Sequence, residues 1–298
     1  MNLNKITQNL KNIVFFRTKS INKMLPNIQT TIIVACAKPL NLQTLRGIAF
    51  PIAEVFGSSV TFLLMNDQIS TEYVEKSLTS KESTLRSLPA FRFISFPYNF
   101  NYNQLIEKNS HNEEAIMIIF PELPSGFPRP LKELRFMLKT RKLRLPYMIL
   151  PKFAYDNWFP KTVIIPIGYD RTDKETAIWA SYFNRFSDSR IIVLKANEKE
   201  QWAKNSTHLN IRFVDKLFKE TNTPYDLNES HVSSGRLPWE TIELADKTGN
   251  SLVILSTTKH YGPGHYITGP DELRIIKNKS GIPVLCVNPV KNAYVLCK

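Results

Sequence analysis

KTVIIPIGYDRTDKETAIWASYFNRFSDSRIIVLKAN, Lys161 to Asn197, reads as a strand, a polar loop, a helix and a second strand. Its two apolar runs are nearly continuous, as strands are when helices cover both faces of a parallel sheet. Between them Ala177, Ala180, Phe183 and Phe186 recur at helical spacing. The same pattern occurs earlier. TTIIVACAKPLNLQTLRGIAFPIAEVFGSSVTFLLMN, from Thr30, lies on it without a gap at a shift of 131 residues. Thr31 then meets Thr162, Ile33 meets Ile164, Ala49 meets Ala180, Ser58 meets Ser189, Leu63 meets Leu194 and Asn66 meets Asn197. A period of this size means one folding unit written twice.

The later parts of the two copies correspond with small gaps: EAIMIIF with SLVILS, RPLKEL with GPDEL, and LPYMILP with IPVLCVNP. Each copy predicts five strands alternating with four helices. In the second copy the predicted strands are 162–168, 190–196, 225–232, 251–256 and 283–288. The predicted helices are 172–186, 206–221, 238–248 and 270–279, with Ile211, Val214, Leu217 and Phe218 on one face of the second. Alternating elements of this kind imply right-handed crossovers and a doubly wound sheet. The expected division is a basic extension over 1–27, a first unit over 28–151, a linker over 152–160, a second unit over 161–290 and a tail over 291–298.

A length of 298 residues with 43% hydrophobic content suffices for two cores. No window holds 18 consecutive apolar residues, so no membrane-spanning helix is expected. Cys36, Cys286 and Cys297 lack metal-ligand spacing, and the first two sit in apolar runs, which fits buried thiols in a reducing compartment. The net charge of +13 is uneven. No acid precedes Glu54, and a basic cluster includes Arg129, Lys132, Arg135, Lys139 and Lys142, with Glu133 opposing it. An acidic partner could meet this cluster, whether protein, membrane or nucleic acid, but no aromatics are interleaved to stack bases. Residues 2–25 read as a frayed basic extension, with a basic amphipathic helix as the alternative, and lack the apolar core and cleavage site of a secretory signal.

Two α/β units of about 140 residues, the second opening with VIIPIGYD and closing with a glycine loop, a helix and GIPVLCVNP, resemble the universal stress protein family in tandem form. The resemblance implies two doubly wound five-stranded parallel sheets of order 3-2-1-4-5, Rossmann-like and similar to the adenine nucleotide alpha hydrolases, packed as a pseudo-dimer. It also implies a cytoplasmic regulator of stress responses. One branch of that family binds ATP through an acid just after the first strand and a loop of the form Gly-x2-Gly-x9-Gly-Ser/Thr. Related paired domains form cytosolic tails of cation/proton antiporters.

A ligand of such a sheet sits where the strand order reverses, outside the carboxyl ends of the first and fourth strands. Here those ends are Gly168, Tyr169 and Asp170 on one side and the loop HYGPGHYITG on the other, with His260, Gly262, Gly264, His265 and Gly269. These eight residues form the candidate crevice. Its chemistry departs from the ATP-binding pattern. Gly168 stands where the family's acid would be, the glycines are too closely spaced, and Pro270 replaces the Ser/Thr. Pro270, Asp271 and Glu272 suit a helix that caps its own positive end. In the first copy the matching residues are Ala35, Cys36 and Ala37, which offer no charge.

No Walker loop, nucleophile elbow, zincin motif or acid pair is found, so no catalytic residue or metal ligand is expected. Trp179, Tyr182 and Trp239 read as core or inter-unit packing residues. The expected function is a non-enzymatic universal-stress-type regulator that binds a small ligand or protein partner and takes no cofactor. One alternative is an ATP/AMP switch, with slow hydrolysis, in the second unit. The other is an adaptor docking through its basic helix. An internal pseudo-dimer is expected, with a homodimer as a further state.

Overall fold

Both copies of the repeat lay down their first two strands in the same register. In the computed structural model, β1 (Thr31–Cys36) pairs in parallel with β2 (Ser59–Leu64), Thr31 opposite Ser59. β6 (Thr162–Ile167) pairs with β7 (Arg190–Lys195), Thr162 opposite Arg190. Each partner in the second pair lies 131 residues after its counterpart in the first, so the shift read from the sequence is also a structural one. The described residues are 30–36, 42–64, 90–95, 115–120, 129–141, 143, 145–150, 158–257 and 271–288. All of them belong to one compact unit, Thr30–Pro289. The basic N-terminal extension and the C-terminal tail lie outside the described residues.

Even the helix ends repeat. Helix α1 (Leu42–Phe56) ends at Gly57 with φ +58°, and helix α3 (Thr176–Ser187) ends at Asp188 with φ +56°. Glycine takes this left-handed conformation without cost, whereas aspartate has a Cβ that crowds its own backbone. Asp188 is exposed and left-handed, so Asp188→Gly is expected to stabilise the protein by about 0.5–1 kcal/mol, read as a higher urea midpoint.

The remaining strands are β3 (Phe91–Ser95), β4 (Ala115–Phe120), β5 (Tyr147–Ile149), β8 (Tyr225–Glu229), β9 (Ser251–Ser256) and β10 (Val284–Val287). All ten form one sheet, in the order β3-β2-β1-β4-β5-β10-β9-β6-β7-β8. This corrects the expectation of two separate sheets. Every pairing is parallel except β5 with β10, which is antiparallel: Val284 lies opposite Ile149 and Cys286 opposite Tyr147. The physical reason is edge chemistry. Left apart, β5 and β10 would each expose unpaired N–H and C=O groups, and pairing satisfies both rows at once.

Helices lock the seam. At one place Phe56 at the end of α1 meets α3, its ring 5.5 Å from Phe183, 5.9 Å from Phe186 and 6.3 Å from Trp179. Such aromatic pairs contribute about 0.5–1.5 kcal/mol each beyond their buried area. At another, helix α2 (Arg129–Thr140) meets helix α6 (Asp271–Ile276) across one core layer. That layer takes alternate strand residues from both copies, among them Ile118, Phe120, Tyr147, Val253, Leu255 and Cys286. Within it Glu133, 1% exposed, receives the Lys277 ammonium at 2.5 Å. Asn288, after β10, donates to Thr140 O at 2.7 Å, at the end of α2, and to Leu143 O at 3.1 Å just beyond it.

Helix α4 (Gln201–Glu220) packs on α3, and helix α5 (Leu237–Thr248) packs on α6. In α5 the inward residues are Leu237, Thr241, Ile242 and Ala245. Trp239 lies off that stripe and is 49% exposed, so it is not the packing residue that the sequence suggested. Trp179 and Tyr182 stack edge to face, 5.6 Å apart, and Trp179 also meets Phe56 of the other copy. Among the described residues, no helix is long and apolar enough to cross a membrane.

Candidate functional site

β6 ends at Ile167, and Gly168, Tyr169 and Asp170 lead from it into a 3-10 turn, Asp173–Glu175, ahead of α3. The structure brings these three predicted residues together. His260, Gly262, Gly264, His265 and Gly269 lie outside the described residues. Of the predicted basic surface, Arg129, Lys132, Arg135 and Lys139 fall in α2, where Arg135 is exposed and Lys139 half-buried, while Lys142 lies outside the described residues.

The backbone donors at the carboxyl end of β6 already have protein partners. Gly168 N donates to Asp173 Oδ2 at 2.9 Å, and Tyr169 N donates to Ser234 Oγ at 3.2 Å. On the acceptor side, Asn210 of α4 donates its amide to Gly168 O at 2.8 Å and Asp170 O at 2.7 Å. Asp170 turns its carboxylate back into the loop, where Oδ1 accepts from Thr172 N and Thr172 Oγ1, both at 2.9 Å. Ser256, ending β9, donates to Thr172 Oγ1 at 2.6 Å and so bridges the two strands that flank the reversal of order. A phosphate arriving at the end of β6 finds the Gly168 and Tyr169 amides committed to side chains.

The charges point the same way. Ser234 donates from both N and Oγ to Glu198, and Glu198 is buried. Burial pushes the Asp173 carboxyl up from 3.8 to about 7, the Gly168 amide opposes this, and Asp170 and Glu198 reinforce it. Asp173 keeps part of its residue surface in solvent, which limits the energetic consequence. The sign follows from linkage. With its folded value above its unfolded one, this group's contribution to stability is full below about pH 4 and is lost as pH rises through about 7. Urea midpoints should therefore fall from about pH 5 to pH 8 by the equivalent of about 1–2 kcal/mol, and Asp173→Asn should remove most of that slope.

Sequence reasoning missed Asp173, Glu198, Asn210 and Ser234. Asn210 carried a signal, because it stands on the apolar stripe of α4 with Ala203, Val214 and Leu217, and a buried amide there needs partners. Ser234 and Glu198 meet Gly168 only through the tertiary fold. The sequence also predicts α4 from 206, whereas it starts at Gln201. Asn205, Ser206 and Thr207 resemble a cap, but they lie inside the helix. At α6, Asp271 and Glu272 are the first two helical residues, and Glu272 is buried. Burial first, and Glu272 second, raise the Cys286 thiol, so this cysteine is an inert core residue. No group of His, Cys, Asp and Glu suited to a metal ion occurs among the described residues.

No family model matches the chain, and no curated protein does. Solved structures do share its fold. One is a protein assigned as a universal stress protein from Pseudomonas aeruginosa UCBPP-PA14, with TM-score 0.57 and 13% identity, covering 90% of this chain and 96% of its own. A universal stress protein from Archaeoglobus fulgidus DSM 4304 gives 0.53 at 10% identity, covering 89% of this chain and 100% of its own. The cytoplasmic domain of a prokaryotic cation chloride cotransporter gives 0.54 at 12% identity, covering 87% and 95%. Over 87–90% of its length the chain is thus similar in fold to these structures.

Proposed function

We propose that this chain is a non-enzymatic, cytoplasmic regulatory protein of the universal-stress type, binding a small ligand or protein partner in preference to ATP. In this reading the two repeats, 28–151 and 161–290, are tandem universal-stress-like domains that form a pseudo-dimer within one chain. The likeness to universal stress structures supports the type. One observation carries the preference against ATP: Gly168 N and Tyr169 N, the donors a phosphate would use, are held by Asp173 and Ser234. Asp170 and Glu198 add negative charge to the same place, the charge that helps hold the Asp173 carboxyl up. Isothermal titration with ATP and with AMP tests it. No saturable heat is expected up to about millimolar nucleotide, a Kd scale of roughly −4 kcal/mol. Micromolar binding of either nucleotide would overturn it.

A second reading, an adaptor related to transporter cytoplasmic domains, is favoured by the cotransporter likeness and by the exposed Arg135 on α2. It requires binding to an acidic partner that weakens steeply with added salt.

A further inference from the structure

A polar cavity of about 300 Å³ lies one strand away from the Gly168 loop. Its walls are the carboxyl ends of β7 and β8, the residues 196–198 that follow β7, and the first two turns of α4. Its size is at the lower end of small-molecule sites. Glu198 is shared between its wall and the Gly168 loop, through Ser234.

One wall residue is anomalous. Thr207 is 1% exposed, and its hydroxyl has no hydrogen-bond partner. Other helical threonines return theirs to the backbone: Thr140 to Phe136 O at 3.2 Å, Thr241 to Leu237 O at 2.8 Å, and Thr248 to Leu244 O at 2.7 Å. A buried unsatisfied hydroxyl costs stability, and a valine of the same shape would avoid that cost. Threonine has two rotamers available in a helix, so a switch of χ1 from one well to the other lets this hydroxyl answer an occupant of the cavity.

The charges around the cavity divide into engaged and free. Glu229 is paired with Lys195 at 2.7 Å, and Glu198 is held by Ser234. By contrast, Lys204 and His208 have no side-chain partner among the described residues. They stand four residues apart on α4, and so on one face. Asn197 adds an amide that donates and accepts, and Asn205, whose Oδ1 accepts from Gln201 Nε2 at 3.0 Å, adds N–H donors. Free cationic or ring donors beside two-way polar groups suit an oxyanion carried on a hydroxylated scaffold.

We infer that this cavity binds a small hydroxylated oxyanion of the sugar-phosphate class, with Lys204 and His208 on the anionic group and Asn197, Asn205 and Thr207 on the hydroxyls. This deepens the reading of the chain as a ligand-binding regulator and rests on it. Nucleotide binding elsewhere would overturn that reading, and the variants of this cavity would leave such binding unchanged.

The test is isothermal titration of the full chain with glycerol 3-phosphate, with glycerol and inorganic phosphate as matched arms. Glycerol 3-phosphate is expected to bind more tightly than either arm. Lys204→Gln should weaken it at least about tenfold, and Lys216→Gln, just over three turns further along α4, should not change it. Thr207→Val should weaken binding while keeping or raising the urea midpoint, which separates a ligand role from a structural one. Absence of glycerol 3-phosphate binding, equal binding of glycerol, equal binding of inorganic phosphate, or a Lys204→Gln protein that binds like the original would each overturn the inference.

Discussion

Gly168→Ala should unfold at a markedly lower urea concentration than the unaltered protein, by the equivalent of about 2–3 kcal/mol. A Cβ placed there would lie 2.1 Å from Ser234 Oγ, 2.9 Å from Ser234 Cβ and 3.2 Å from Asp173 Oδ2. The first two distances are shorter than real contacts allow, so something must move. Ser234 has little freedom to move. Its N–H and hydroxyl are both given to Glu198, and its oxygen accepts from Tyr169 N. Asp173 is tied to Gly168 N itself. If the clash is the cause, Ser234→Gly should restore much of the loss, leaving the double variant more stable than the sum of the singles predicts. A Gly168→Ala protein within about 0.5 kcal/mol of the original would sink this account. The same distances explain why an acid has no room at this position: the space an acidic side chain would need is already filled.

Lys277→Met is the second large effect, expected at about 3 kcal/mol. Glu133 is 1% exposed, and its carboxylate meets the Lys277 ammonium at 2.5 Å. Methionine keeps most of the lysine stem but withdraws this ammonium from a buried carboxylate. Glu133→Gln should cost less, because the glutamine oxygen still accepts from Lys277 and no buried charge remains. Introducing Met at both positions should be milder than Lys277→Met alone. Chemical denaturation of the three variants reads the order directly, and a Lys277→Met shift below about 1 kcal/mol would show that the pair is incidental. Because Glu133 and Lys277 come from different copies of the repeat, the loss would be felt by both at once.

The repeat was legible because burial on both faces writes strands as continuous apolar runs, and the pairings Thr31–Ser59 and Thr162–Arg190 keep its shift. The single sheet was not. β5 and β10 have three and four residues, and nothing local to Tyr147 or Cys286 announces that they will lie opposite each other. At the site, Gly168 could be flagged from sequence as a departure from a pattern. What fills the vacated space could not, since Ser234 lies 65 residues from Tyr169, whose amide it accepts. The early turns of α4 precede the predicted start at 206, because the apolar stripe that marks this helix in the sequence is clearest from Ile211 onward. Lys204 and Asn205, which line the cavity, fell in that misread segment.

The antiparallel seam between β5 and β10 also bears on stoichiometry. Were the two copies separate chains, their union would follow mass action and weaken on dilution. Joined covalently, each copy meets its partner at an effective concentration set by the tether alone. The ratio is fixed at one to one, and the protein at trace abundance holds the same sheet as the protein in excess. A cell can therefore vary the amount of this molecule widely without changing its state of assembly across the seam.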